Sequence, residues 1–225
     1  CIIGLSGGVD SSYVAIKVKE FGLKPLAVHL DNGWDSELAV KNIENLVRML
    51  DIPYYTHIID WDEFRDIQLS FLRASTPDSE IPSDHAIVSL MYHTAKKYNI
   101  GYILAGTNVS TETHLPSSWS TGHLDWKYIR SVQNIYGTKK INSFPHMNLL
   151  QHRYYRMKIK FVSILDYINY NKNNAIQELK KIYCWKDYGA KHFESIYTRF
   201  YQGYILPKKF GFDKRRSHLS SMICS

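Results

Sequence analysis

The stretch Ser6-Gly7-Gly8-Val9-Asp10-Ser11-Ser12 constrains this chain more than any other seven residues. It follows an apolar, strand-like run from Cys1 to Leu5 and leads directly into a helix-period segment, so it reads as a strand-to-helix turn. Two adjacent glycines allow positive φ and a close approach of backbone to ligand, and the helix N-terminus behind them offers unpaired N–H groups and the positive end of a dipole. An anion fits there. Ser6, Ser11 and Ser12 add hydroxyl donors, but no Lys completes a Walker-type loop. Asp10 beside a bound phosphate would repel it unless a divalent cation lay between them, so the motif itself calls for Mg²⁺. A plain glycine-rich turn with Asp10 as a helix cap would explain the two glycines but not all seven residues.

Over residues 1–145 apolar runs alternate with helix-period stretches, the signature of a parallel sheet wrapped by helices. Strands are expected near 1–5, 25–30, 54–59, 102–106 and 141–144. Leu26-Ala27-Val28-His29-Leu30 and Tyr102-Ile103-Leu104-Ala105 are nearly continuous in apolar residues, as in strands covered on both faces. A first helix should run from Asp10 to Phe21 and stop at Gly22. A second, after Ser36, should turn Leu38, Ile43, Leu46, Val47 and Leu50 inward. A third has Asp60 and Glu63 at capping-box spacing, and a fourth starts from Ser83 with Ile87, Leu90, Met91, Ala95 and Tyr98 at helical spacing. Residues 75–83 and 106–123 read as long loops, which in a compact pattern invite a functional role. After Pro145 helix-like segments are expected around 151–170, 172–183 and 191–203, then a turn-rich basic stretch from Pro207 to Arg216. The expected architecture is α/β, a doubly wound parallel five-stranded sheet in residues 1–148 and a helical, basic, aromatic-rich region in 149–225.

With 225 residues, 44% hydrophobic and 22% charged, the chain is neither disordered nor collagen-like. No run of 18 apolar residues is present, and the first residues carry no basic leader, so neither a membrane span nor a signal peptide is expected and the cytoplasm is the expected location. The missing initiator Met, with the first residue already inside an apolar run, suggests a piece of a longer polypeptide. Cys1, Cys184 and Cys224 show no Cys-x-x-Cys spacing, so no disulfide framework or zinc site is expected; the thiols read as reduced and structural, Cys1 as a buried strand residue. Charge divides unevenly: residues 1–150 hold 13 Lys+Arg against 16 Asp+Glu, whereas residues 151–225 hold 15 against 5 and carry 15 of the 31 aromatic residues. A basic, aromatic segment suits a phosphorylated or nucleotide-linked partner, and nucleic acid would satisfy it equally.

The seven-residue loop resembles the PP-loop of the ATP pyrophosphatase superfamily, whose members cleave ATP between the α- and β-phosphates and adenylate a carbonyl or amide oxygen. The resemblance implies an adenine nucleotide alpha hydrolase-like sheet of order 3-2-1-4-5, with ligands beyond the carboxyl ends of the strands where the order reverses. ATP and Mg²⁺ are the implied cofactors. His29-Leu30-Asp31-Asn32-Gly33 ends the second strand, where relatives contact adenosine. Gly106-Thr107-Asn108-Val109-Ser110-Thr111-Glu112 ends the fourth and is similar to the Gly-Thr…Glu stretch of ammonia-dependent NAD synthetases, whose Glu helps bind the metal. Asp10 and Glu112 are the implied Mg²⁺ ligands.

In the last third, Trp185-Lys186-Asp187-Tyr188-Gly189-Ala190-Lys191-His192-Phe193-Glu194-Ser195, Thr198-Arg199-Phe200-Tyr201-Gln202, Leu206-Pro207-Lys208-Lys209-Phe210-Gly211 and Asp213-Lys214-Arg215-Arg216 resemble the N-acetyl sugar amidotransferases of bacterial surface-polysaccharide biosynthesis, the lipopolysaccharide O-antigen among them. Leu115-Pro116-Ser117-Ser118-Trp119 and Pro82-Ser83-Asp84-His85-Ala86 fit the same family. The resemblance implies adenylylation of an acetamido oxygen on a nucleotide-linked sugar and displacement of AMP by ammonia. Asp84, Lys191, His192, Glu194, Arg199, Lys214 and Arg215 are the implied substrate contacts, with His192 also a catalytic candidate beside Asp10 and Glu112. For each of these singly, a solvated surface charge is an equal alternative. Family members also carry an N-terminal cysteine-rich segment that this sequence lacks. The chain holds no glutaminase nucleophile, so the family implies a glutaminase partner with a cyclase-like companion, resembling the histidine-biosynthesis pair. Three other readings stay open: a tRNA-modifying PP-loop enzyme, an ammonia-dependent NAD or GMP synthetase, and a non-catalytic adenosine-binding module.

Overall fold

A computed structural model describes residues 1–108, 122–189 and 194–211, with 213, 214, 216, 220 and 223. Five short strands, β1 (Ile2–Gly4), β2 (Leu26–Asp31), β3 (Tyr54–Ile58), β4 (Tyr102–Ala105) and β5 (Lys160–Ser163), form one parallel sheet in the order β3-β2-β1-β4-β5. Ile2 pairs with both Leu26 and Ile103, and Ala105 with Ser163. This is the doubly wound, parallel five-stranded sheet that the sequence pattern predicts, in the strand order that the resemblance implies, with the order reversing between β1 and β4.

Helices cover both faces. They are α1 (Val9–Glu20), α2 (Glu37–Leu50), α3 (Trp61–Arg73), α4 (Ile81–Lys97), α5 (Trp126–Tyr136), α6 (Leu149–Lys158), α7 (Lys172–Ile182) and α8 (Ile196–Phe200), with a 3₁₀ turn at Ile164–Tyr167 and a π-helix at Tyr201–Phe210. Successive strand residues point to opposite faces, and the core follows that alternation. Ile3, Leu5, Ala27 and Leu104 pack with α1, α2 and α7; Ile2, Val28, Leu30 and Ile103 pack with α3, α4, α5 and α6. Among the described residues no helix is long and apolar enough to cross a membrane.

Several expectations need correction. Residues 141–144 are not a strand: the Glu63 carboxylate accepts hydrogen bonds from the backbone N–H groups of Asn142, Ser143 and Phe144 at 2.8–3.1 Å, which takes the donors that a ladder would use. One turn further along α3, Asp66 accepts from Thr138 N, Thr138 Oγ1, Lys139 N and Gln133 Nε2 at 2.6–2.8 Å. Two carboxylates thus replace sheet pairing for the 138–144 connector. The Asp60–Glu63 pair is a half-made capping box for the same reason: Asp60 accepts from Glu63 N at 2.9 Å, but the Glu63 side chain has swung to the connector.

The fifth strand comes instead from 160–163, inside the stretch expected to be one helix over 151–170 and beyond the boundary expected at 148. It is a four-residue edge strand with Lys160 and Phe161 exposed, too short to stand out from the helix-like stretch around it. Leu38, Ile87 and Tyr98 face outward, where α2 and α4 turn Ala39, Asn42, His85 and Ser89 inward in their place. Pro207 lies within the π-helix, which ends at Gly211 with φ +75°, so the stretch expected to be turn-rich from 207 is helical for its first four residues. Cys1 precedes β1 and is half-buried, and Cys184 is exposed, so neither is the buried structural thiol expected.

Candidate active site

The loop expected to hold phosphate turns from β1 into α1, with Gly7 at positive φ and Gly8 extended as the α1 N-cap. Gly7 has φ +74°, and a Cβ there would stand 2.4 Å from the Ala39 carbonyl oxygen, so α2 lies flush against the turn and only glycine fits. Ser6 and Ser11 hydroxyls lie 3.1 Å apart; Gly8 N–H donates to Ser6 Oγ at 3.3 Å, and Ser11 Oγ donates to the Gly8 carbonyl at 3.3 Å. Gly106, at the end of β4, approaches so closely that a Cβ would sit 3.0 Å from the Ser11 nitrogen. Loops from β1 and β4 therefore meet over the first turn of α1. The Ser12 hydroxyl is buried there with no hydrogen-bond partner among the described residues. A glycine cradle, hydroxyl donors, an orphaned buried hydroxyl and the N-terminus of a twelve-residue helix fit a phosphate chain, and Asp10 in the first turn of α1 supplies an oxygen ligand for a cation such as Mg²⁺.

The other predicted nucleotide residues are placed as follows. His29 is buried at the end of β2, with Nδ1 2.8 Å from the Leu5 carbonyl and Nε2 3.4 Å from Asp35. Burial opposes charge on the ring, but hydrogen bonding and attraction from Asp35 outweigh it and raise the pKa. Leu30 is core, whereas Asp31 and Asn32 accept from Gly33 N and Trp34 N, closing two turns at the strand end. Thr107 Oγ1 lies 2.7 Å from Ser163 Oγ, and buried Asn108 donates to the Gly106 carbonyl at 3.3 Å. Glu112, Lys191, His192 and Arg215 lie outside the described residues.

The last third reaches the phosphate loop through side chains that sequence reasoning did not single out. The Tyr170 hydroxyl donates to Asp10 Oδ1, and the Tyr188 hydroxyl accepts from Val9 N–H at 3.2 Å. Trp185 Nε1–H donates to the Gly7 carbonyl at 3.1 Å, and Asn42 of α2 joins Gly7 to the Lys186 backbone. Burial first, then neighbouring carboxylates (Asp10 for Tyr170, Glu194 for Tyr188), push both phenols up, so both remain protonated at neutral pH. Trp185 and Tyr188 stand inside a string that the sequence flags. Tyr170 carries no local signal, because its partner is 160 residues away.

Of the predicted substrate residues, Glu194 comes to the loop: its Oε1 would be 3.3 Å from a Cβ on Gly8, and its carbonyl accepts from Ser36 N–H at 2.8 Å. An isolated bridge between Asp35 and Ser195 and a bond from Ile196 N–H to Trp34 O continue that docking. Arg199 is exposed on α8. Lys214 is not: it is buried 3.4 Å from Glu80, which also accepts from Gln202 at 2.7 Å. Burial raises the Glu80 pKa and Lys214 opposes it. Asp84 pairs with His123 Nδ1 at 2.9 Å, and His123 Nε2 faces Asp78 at 3.6 Å; the hydrogen bond to Asp84 raises the imidazole pKa against burial. Among the described residues no cluster of three or more His, Cys, Asp and Glu has metal-site geometry.

Residues 194–225 match the family described as LPS biosynthesis protein WbpG-like, C-terminal domain. The tRNA-specific 2-thiouridylase MnmA of Streptococcus thermophilus is 33% identical over 93 residues, covering 36% of this chain and 25% of that protein. The tRNA(Ile)-lysidine synthase of Chlamydia pneumoniae is 34% identical over 70 residues, 30% and 22% of the two chains. The chain thus spans about a quarter of the length of these curated relatives. The NH3-dependent NAD synthetase of Campylobacter jejuni aligns in structure over 90% of this chain and 86% of its own, at 16% identity and a TM-score of 0.41. The family match covers the last 32 residues of this chain and each of these curated matches about a third of it, so each is a likeness of a part.

Proposed function

We propose that the chain is the ATP-dependent part of an amidotransferase that converts the acetamido group of a nucleotide-linked sugar into an acetamidino group, releasing AMP and pyrophosphate. One observation carries the reading: the segment that matches the WbpG-like family begins at Glu194, the point where the last third docks on the phosphate loop. A substrate held by that segment would lie beside the ATP phosphates.

An acetamido carbonyl is a poor electrophile. Attack of its oxygen on the α-phosphorus forms an O–P bond as the bond to pyrophosphate breaks, giving an O-adenylyl imidate. Ammonia adds at the amide carbon, a proton is lost, and the C–O bond breaks with AMP carrying the oxygen away. This chain's contribution is placement and electrostatics. Loop N–H groups and Ser6 and Ser11 hydroxyls would hold the phosphates in line, and the α1 dipole would stabilise the departing charge. Mg²⁺ on Asp10 and on Glu112 would neutralise the pyrophosphate. Lys191, His192, Arg199 and Arg215 would hold the sugar-linked phosphates, with His192 also near the chemistry. Ammonia would come from a glutaminase partner with a cyclase-like companion.

The experiment is pyrophosphate release by the purified chain with ATP and ammonium, in the presence of UDP- or CMP-linked acetamido sugars. Release that depends on an acetamido sugar supports the proposal; none with any of them overturns it. The tRNA-acting relatives favour a second reading, modification of tRNA. It requires saturable tRNA binding at physiological salt and adenylylation that depends on RNA.

A further inference from the structure

We propose that Tyr170 is a positioning residue for Asp10, holding Oδ1 through its hydroxyl so that Oδ2 stays turned toward the cation and the phosphates. This rests on the reading of Asp10 as the metal-facing carboxylate. An Asp in the first turn of a helix has a competing option, to fold back onto the helix's own free N–H groups. In α1 the Gly8 N-cap has no side-chain bond to give, the Tyr188 hydroxyl takes Val9 N–H, and Asp10 Oδ1 accepts from Tyr170. Among the described residues none donates to Oδ2.

Tyr170 is mounted to do this rigidly. Its ring packs on Tyr13, one turn after Asp10 on the same helix, with centroids 5.5 Å apart. The next residue, Asn171, caps α7 by accepting from Asn174 N–H at 3.1 Å, and α7 packs in the same core as α1. On the other side the chain leads back through the 3₁₀ turn to β5, the neighbour of β4. The hydroxyl is therefore referenced to the sheet and to α1 together. A carboxylate has room for such a donor and for a metal at once, since its two oxygens offer about four acceptor positions. Partners of this kind orient a ligand, and their loss typically costs about 10- to 100-fold in metal affinity.

The test measures binding without turnover: ATP affinity by calorimetry, without metal and across a Mg²⁺ series, with no sugar present. Tyr170→Phe keeps the ring on Tyr13 and removes only the hydroxyl. It should hold metal-free ATP affinity within about twofold while the Mg²⁺ needed for half-maximal strengthening rises about tenfold or more. Tyr13→Phe, which removes a neighbouring hydroxyl not bonded to Asp10, should match wild type, and Asp10→Asn should lose the metal dependence. An unchanged Mg²⁺ requirement in Tyr170→Phe overturns the proposal. So does an equal loss of metal-free ATP affinity, which would make Tyr170 a support of the loop as a whole. Wild-type protein whose ATP affinity ignores Mg²⁺ overturns both this proposal and the metal reading beneath it, whereas failure of every acetamido sugar in the turnover assay would leave this test standing.

Discussion

The sheet half and the last third contribute to the same loop by different means. In residues 1–108 the backbone itself does the work: β1, β2 and β4 end together, and glycines at 7 and 106 let their loops touch the first turn of α1. In residues 149–223 the backbone is mostly elsewhere, and reach depends on long aromatic side chains, Tyr170, Trp185 and Tyr188. Among the described residues, it is these aromatic side chains that bond to the loop, and two of the cations that make this third basic are held elsewhere. Lys214 is consumed by Glu80, and Lys180 by Asp187 at 2.8 Å. Net charge therefore describes the surface a partner meets, and the aromatic residues describe how the two halves are joined.

Four measurements would sharpen or break this contrast. Asp10→Asn should lower pyrophosphate release by on the order of a thousandfold, as expected for the loss of a metal-bridged charge contact in the transition state. Turnover within tenfold of wild type would remove the loop of the sheet half from the chemistry. Next, Lys214→Ala should cost about 3 kcal/mol of folding stability by leaving a buried carboxylate without its cation, while Lys214→Met with Glu80→Gln recovers most of it. A thermal melt reads this directly. If Lys214→Ala melts like wild type and instead weakens sugar binding, the sequence expectation for Lys214 was right and the structural role is wrong.

The third concerns acid. Asp66 is held down to about pH 2: burial opposes its charge, but backbone N–H groups of Lys139 and Thr138 outweigh it. Because the folded value lies below the unfolded one, near 3.8, its stabilisation is present above pH 3.8 and is lost as pH falls toward 2. That is about 2 kcal/mol in a comparison of wild type with Asp66→Asn between pH 5 and pH 2. A constant difference over that range would contradict the hydrogen-bond account of the connector. The smallest effect is expected from Arg199→Ala, exposed on α8: a rise of about tenfold in sugar KM, corresponding to roughly 1.4 kcal/mol, with ATP affinity unchanged. A matching loss of ATP affinity would show that the two halves do not divide the substrates.

Most of the sheet half was legible because its signals are local. The strand–Gly–Gly–helix turn, the Ser36 and Asp60 caps and the apolar runs of β2 and β4 each state their own conformation within a few residues. The misses share one cause. Residues 141–144 look like a strand, yet Glu63, more than seventy positions earlier, takes the hydrogen bonds that would make them one. β5 is short, lies within a stretch of helical spacing, and becomes a strand where β4 offers an open edge. Leu38 and Ile87 obey helical spacing and still face out, since the neighbouring turn of each helix packs better.

By itself, then, the amino-acid order determined the sheet class and the glycine turn from β1 into α1. Those follow from backbone sterics and from apolar periods of two and 3.6 residues, which act over one element at a time. Tertiary structure alone decided which side chains of the last third serve the loop. Lys214 went to Glu80 and Tyr170 to Asp10, because at such separations the pairing is chosen by how whole helices pack, and no local pattern encodes the distance between them.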